Sequence, residues 1–239
     1  TGRWWAEGPA ALPHDERNLA LRAARVFCQT AGIAPDGVEV ALEKRIPSCA
    51  GLAGGSADAA AVLRALQRHY GAPLSRAALL DAAGQVGSDV PFCLLGGTQL
   101  AEGRGERLTP LQPLPDCAIV ICKPDFGSST PALFRALDAA PPQRRPDFGR
   151  ILARLGDPAA LGPEMVNVFE PLLTDLHPEL AALRQTFLDC GALGAMLTGT
   201  GSAMFGLFAS DAAAERARTA LLTQVPWAVL ARPVGAAMA

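Results

Sequence analysis

Hydrophobic positions follow two periods along the chain. Leu19, Ala23, Val26, Phe27 and Thr30 recur at helical spacing after Asp15, the expected N-cap, and Gly32 stops the run. Val38, Val40 and Leu42 alternate with Glu39, Ala41 and Glu43, which predicts a half-buried strand ended by Pro47. A second helix is expected from Ala57 to Tyr70, with Ala59, Val62, Leu63 and Leu66 on one face and Gly71 as its stop. Ser75 caps a third, through about Val86. Gly87 to Pro91 reads as a turn, and strand-like runs near Gly97–Ala101 and Glu106–Leu111 flank a Gly103-Arg104-Gly105 hairpin.

After Pro113 and Pro115 the pattern changes, which divides the chain into residues 1–115 and 116–239. Cys117 to Cys122 is a continuous apolar run, expected as a buried strand. Helices are predicted near Thr130–Leu137, Phe148–Leu155 and Pro163–Thr174. Another starts at Pro178 and runs to about Cys190. Leu193–Leu197 and Ala203–Phe208 read as strands, Asp211 caps a helix through Leu222, and Trp227–Ala231 is a last strand. Without the extra helices the second half is β-α-β-β-α-β, the ferredoxin-like split order. The uncharged stretch from Cys190 to Ser210 is long enough to span a bilayer, but Gly191, Gly194, Gly199, Gly201 and Gly206 break it into two strands around a turn.

Composition narrows the function classes. Of 239 residues 50% are hydrophobic and 18% charged, which places the chain among globular proteins. The formal net charge of -2 excludes the basic excess of a nucleic-acid binder, and Arg144-Arg145 is a solvated pair. Six cysteines (Cys28, Cys49, Cys93, Cys117, Cys122, Cys190) form no C-x-x-C pair, and His14, His69 and His177 are scattered. No metal site is expected from them, and the thiols read as reduced core residues of a cytoplasmic protein. Thr1 to Trp5 leads into no apolar stretch, so no signal peptide is expected.

Three segments could carry chemistry. Pro47, Ser48, Cys49, Ala50, Gly51, Leu52, Ala53, Gly54, Gly55, Ser56 and Ala57 form a small-residue loop leading into a helix. Such a loop exposes backbone N–H groups at the positive end of a helix dipole, the elements of a phosphate cradle. It reads equally as a tight turn with Ser56 as an ordinary N-cap, and it is neither a Walker A motif nor G-x-G-x-x-G. Asp58 would repel a phosphate if it pointed inward, so it faces away or toward a metal. Asp89, in a turn between a helix and a strand, could take a proton from a substrate hydroxyl, or simply satisfy local N–H groups. Thr198-Gly199-Thr200-Gly201-Ser202 is a second small-residue loop, or a plain β-turn.

Taken together and in this order, R-I-P-S-C-A-G-L-A-G-G-S-A-D-A-A, G-S-D-V-P-F, A-E-G-R-G-E and L-T-G-T-G-S-A-M-F resemble the GHMP kinase superfamily. Within it they are similar to the branch that phosphorylates a cytidylylated methylerythritol on the methylerythritol phosphate route to isoprenoids. The resemblance implies an α+β, two-domain architecture, with a ribosomal-S5-like N-terminal domain and a ferredoxin-like βαββαβ C-terminal domain. It implies ATP and Mg²⁺, a small-molecule substrate, and neither nucleic-acid nor membrane partners. Residues Pro47 to Ala57 would wrap the ATP phosphates, with Asn18 on the adenine side. Asp89 would be the catalytic carboxylate. Ser88, Thr130, Gly199 and Gly201 would lie on the substrate side. Asn18 could also be a helix-surface residue, and Thr130 an N-cap before Pro131. In the family's G-L-G-G-G-S-S-D-A-A pattern, Ala53 stands for a glycine and Ala57 for a serine.

The family's P-A-K-x-N-L strand and D-G-Y-H turn do not occur here. The only lysines are Lys44 and Lys123 and the only tyrosine is Tyr70. The resemblance implies that the absent lysine pairs with the catalytic aspartate, so the expectation is a catalytically incomplete chain lacking its N-terminal strands, with a sheet edge and core face exposed. A non-catalytic nucleotide-binding relative and a homoserine- or mevalonate-type kinase are the competing readings.

Overall fold

The computed structural model describes residues 6–7, 13, 15–34, 38–142 and 144–236. Residues 1–5, on which the signal-peptide reading rests, and His14 lie outside them. The chain divides into two compact units, one of Thr1–Ile46, Ala53–Leu111 and Gly235–Ala239, the other of Pro47–Leu52 and Gln112–Val234.

In the first unit β1 (Ala6–Glu7) pairs in parallel with β2 (Val40–Ala41). The alternation seen in the sequence survives around β2, with Val40 buried and Glu39 and Ala41 exposed, but the paired segment is shorter than the expected run. Helices α1 (Leu19–Ala31), α2 (Gly54–His69), α3 (Arg76–Val86) and α4 (Val90–Leu95) enclose a core of Phe27, Leu63, Leu79, Val86, Val90 and Leu94. Strands β3 (Gln99–Glu102) and β4 (Arg107–Pro110) form the expected antiparallel hairpin.

Caps explain three departures. The α1 cap is Asn18, whose Oδ1 accepts from Ala20 N at 3.1 Å; Asp15 is engaged by the Arg17 guanidinium instead. Helix α2 starts at Gly54, three residues early, so Ser56 lies inside it and caps nothing. The turn expected over Gly87–Pro91 runs into helix α4 before the β3 strand, because Pro91 suits a first helical turn. Ser75 caps α3 as expected, accepting from Ala78 N at 3.2 Å.

The second unit is a four-stranded antiparallel sheet in the order β6 (Gly194–Leu197), β7 (Met204–Phe208), β5 (Ala118–Lys123), β8 (Trp227–Ala231). This is the split βαβ arrangement, with β5 and β7 central. Helices α9 (Glu179–Asp189) and α10 (Asp211–Leu221) bury Leu183, Phe187, Ala214, Ala217 and Leu221 in the core that holds Val120, Cys122 and Phe208. Ser210, one residue before the expected cap, closes α10. Helices α5 (Thr130–Ala139) and α6 (Phe148–Arg154) lie near their expected positions. The single helix expected over Pro163–Thr174 is broken: α7 (Pro158–Leu161) and a 3₁₀ turn at Gly162–Glu164 precede an extended stretch, and α8 covers Glu170–Leu176. No helix among the described residues is long and apolar enough to cross a membrane, and the Cys190–Ser210 stretch holds β6, a turn and β7.

Candidate phosphate-binding loops and the acidic turn

The loop that leads to α2 is built onto the second small-residue loop. Ala203 N donates to Ala50 O at 3.0 Å, and Thr198 Oγ1 donates to Gly51 O at 3.1 Å. The approach leaves no room for a side chain, since a Cβ at Gly51 would lie 2.2 Å from Thr198 O. The turn Thr198–Gly201 closes on itself through Gly201 N to Thr198 O at 2.8 Å. Ser128 Oγ donates to Gly201 O at 2.7 Å, Ser202 Oγ donates to Phe126 O, and the Thr130 and Thr200 hydroxyls share a 2.7 Å bond. Thr130 is thus the first residue of α5, not its cap; Ser129 holds that position without a side-chain bond. Gly199 is exposed and Gly201 buried.

Three residues sequence reasoning passed over complete this structure. Asn167 Nδ2 donates to both Leu197 O (2.9 Å) and Gly199 O (2.8 Å), while its Oδ1 accepts from Phe169 N at 2.9 Å. Glu170 Oε2 accepts from Leu197 N at 2.7 Å and its carboxylate pairs with Arg184 at 3.3 Å. The local signal for Asn167 is its Asx turn onto Phe169, which breaks the expected helix.

Left-handed residues alternate through the loop: Cys49 has φ 53°, Gly51 70° and Ala53 49°. Such curling turns successive N–H groups toward one side, as in backbone anion sites. Ala53 is also the α2 N-cap and offers no side-chain bond, so the first-turn N–H groups of this 16-residue helix carry no side-chain cap. Asp58 is not aimed at them alone, since it ion-pairs with Lys44, and both side chains are largely buried.

Ala53 occupies the left-handed conformation that a glycine adopts freely. Ala53→Gly is therefore expected to gain about 0.5–1 kcal/mol, the relief of the Cβ clash less glycine's larger unfolded-state entropy. A thermal midpoint unchanged or lowered in the variant would contradict this.

In the first unit, Ser88 and Asp89 are both exposed in the turn between α3 and α4. Among the described residues the Asp89 carboxylate has no hydrogen-bond or ion-pair partner; with φ -89° and ψ -8° it sits outside the extended conformation of a capping Asp. A Cβ at Gly105, in the hairpin, would be 3.8 Å from Asp89 Oδ1. Leu19 Cδ1 lies 3.5 Å from the Cβ position of Gly55 and 4.0 Å from that of Gly87, so the start of α2 and the Asp89 turn border the same side chain. Arg64 of α2 donates to the Cys93 and Leu94 carbonyls at 3.2 Å, holding the far end of α4. Asn18 is buried; beyond its cap bond, Nδ2 donates to Pro13 O at 3.0 Å, which accounts for all but one amide proton.

The thiols do not all lie in the core. Cys28, Cys117 and Cys122 are buried, Cys93 and Cys190 partly so, and Cys49 is exposed in the loop. Burial pushes Cys122 up to about 12; Cys93 is pushed up to about 11 by burial and then by the Asp89 charge, with Arg64 opposing. Thiolate is the reacting form. At pH 8 an aromatic disulfide reagent is expected to label Cys49 first and Cys122 only on unfolding, as read by peptide mass. Labelling of Cys122 in the folded chain at the rate of Cys49 would refute this placement.

Comparison with known proteins identifies the family. Residues 18–97 match the GHMP kinases N terminal domain and residues 145–226 the GHMP kinases C terminal family. The 4-diphosphocytidyl-2-C-methyl-D-erythritol kinase of Exiguobacterium sibiricum is 42% identical over 87% of this chain and 72% of its own length. That of Moorella thermoacetica is 41% identical over 92% and 79%. A crystal structure of 4-(cytidine 5'-diphospho)-2C-methyl-D-erythritol kinase superposes with a TM-score of 0.82 at 37% identity, covering 98% of this chain and 83% of that one. A homoserine kinase from Cytophaga hutchinsonii reaches 0.79 at 23% identity, a likeness of fold. The chain belongs to the 4-diphosphocytidyl-2-C-methyl-D-erythritol kinases of the GHMP kinase superfamily.

Proposed function

We propose that this chain transfers the γ-phosphoryl group of ATP to the 2-hydroxyl of 4-diphosphocytidyl-2-C-methyl-D-erythritol, in the cytoplasm, as a step of the methylerythritol phosphate route. The observation that carries the reading is the Cys49–Ala53 curl running straight into the uncapped start of α2. Phosphoryl transfer needs charge stabilisation and alignment more than covalent chemistry, and backbone N–H groups supply both. Pro47 to Ala57 hold the phosphates, with Asn18 on the adenine side through its remaining amide proton. Asp89 orients the substrate hydroxyl and takes its proton. Ser88, Thr130, Gly199 and Gly201 face the substrate. Asp58, ion-paired with Lys44 at the start of α2, would offer Mg²⁺ the hard oxygen donor it prefers beside phosphate oxygens, and the ion would supply charge neutralisation there.

The test is ADP release with ATP, Mg²⁺ and the diphosphocytidyl substrate. Release that depends on that substrate, and is absent with homoserine or mevalonate, is expected. A folded chain that releases ADP with homoserine or mevalonate instead overturns the assignment.

A further inference from the structure

The Thr198–Ser202 loop is held from behind by a residue no motif contains. Both amide protons of Asn167 are committed, to Leu197 O and Gly199 O, and its oxygen is fixed by Phe169 N. Phe169 in turn stacks edge-on against Phe134 of α5, with ring centroids 4.9 Å apart. Glu170, three residues on, takes Leu197 N, and Arg184 ties Glu170 to Ala195 O at 3.1 Å. The segment Asn167–Glu170 therefore grips the end of β6 along the edge turned away from β7.

The consequence lies on the opposite face. In a planar trans peptide the C=O and the following N–H point opposite ways. With Gly199 O turned to Asn167, Thr200 N–H is turned away from it; with Thr198 O turned to Gly201 N, Gly199 N–H is turned out of the turn. Among the described residues neither N–H has an acceptor. We propose that Asn167 is a positioning residue that locks the loop with the Gly199 and Thr200 N–H groups presented to an anionic oxygen of the bound substrates. It also keeps Thr198 and Ala203 in place to hold Ala50 and Gly51. This rests on the reading of the loop as part of the substrate site.

Amide hydrogen exchange of the ligand-free chain tests the lock, and steady-state kinetics tests its purpose. Asn167→Asp keeps the acceptor for Phe169 N and removes both donated bonds; Asn167→Ala removes all three without adding charge. In both, protection of the Gly201 and Ala203 amides is expected to fall about tenfold or more while Val120 in β5 stays protected, since the bonds that hold the loop are lost. The KM for ATP or for the diphosphocytidyl substrate is expected to rise about tenfold with a smaller change in kcat. Unchanged protection at Gly201 and Ala203 overturns the positioning role. A loosened loop with unaltered KM and kcat overturns the placement of the loop in the site.

Discussion

Asp89→Asn is expected to lower kcat for phosphoryl transfer by about 10²–10⁴-fold, the usual contribution of a positioned general base. The affinity for ATP is expected to stay within about twofold, because the change touches no group proposed to hold the nucleotide. Asparagine preserves the shape and can still accept a hydrogen bond from the substrate hydroxyl, but it cannot take the proton. The fold should be little affected. Asp89 is exposed and has no partner among the described residues, and a substitution at such a place changes stability by roughly 0.5 kcal/mol or less. A carboxylate without a local partner among the described residues, at the start of α4, is free to serve a ligand. Single-turnover rates and ATP titrations on the two proteins separate the outcomes. An unchanged rate removes Asp89 from the proton transfer. A lost rate together with lost ATP affinity would make it a binding residue instead.

What could be read in advance follows the range of the interactions involved. The hairpin at Gly103-Arg104-Gly105, the Ser75 cap and the β-turn-β reading of Cys190–Ser210 all rest on contacts between near neighbours, and all stand in the structure. The βαββαβ order followed from those elements because connection rules leave few alternatives. Helix starts were displaced wherever a nearby group competed: Arg17 captures Asp15, leaving Asn18 to cap α1, and left-handed Ala53 begins α2 before Ser56 can cap it. The break before α8 has a local signal in the Asn167 Asx turn, but the groups that fix that turn are remote. Asn167 is drawn into an Asx turn by carbonyls about 30 residues away, a pairing that no local pattern encodes. For the same reason the three chemical motifs were visible as residues, but the joining of Ala50 and Gly51 to the Thr198–Ala203 segment was not. The environment of Cys49 was likewise misread, because a cysteine's burial depends on packing that only the fold determines.

Gly51→Ala is expected to be the most disruptive single methyl in the loop. The residue has φ 70°, where a side chain costs about 1 kcal/mol or more. The added carbon would also lie 2.2 Å from Thr198 O, 2.9 Å from Gly201 N and 3.0 Å from Gly201 O. All three are backbone atoms, so no rotamer change relieves the overlap. The Thr198 and Gly201 atoms are themselves tied to each other and, through Gly201 O, to Ser128. Overpacking of this kind costs about 1–3 kcal/mol, which with the backbone term gives about 2–4 kcal/mol. At roughly 2–4 °C per kcal/mol for a chain of this size, the thermal midpoint should fall by about 5–15 °C. The alternative for the molecule is to separate the two loops and keep its cores, which sheds the Ala203 N to Ala50 O and Thr198 Oγ1 to Gly51 O bonds. That route gives a smaller fall in midpoint, but loss of Ala203 amide protection and a weakened affinity for ATP. Thermal unfolding and amide exchange on the same variant distinguish the two. A variant with the original midpoint, Ala203 protection and ATP affinity would mean that the Gly51 backbone does not make the close approach on which the nucleotide loop's position depends.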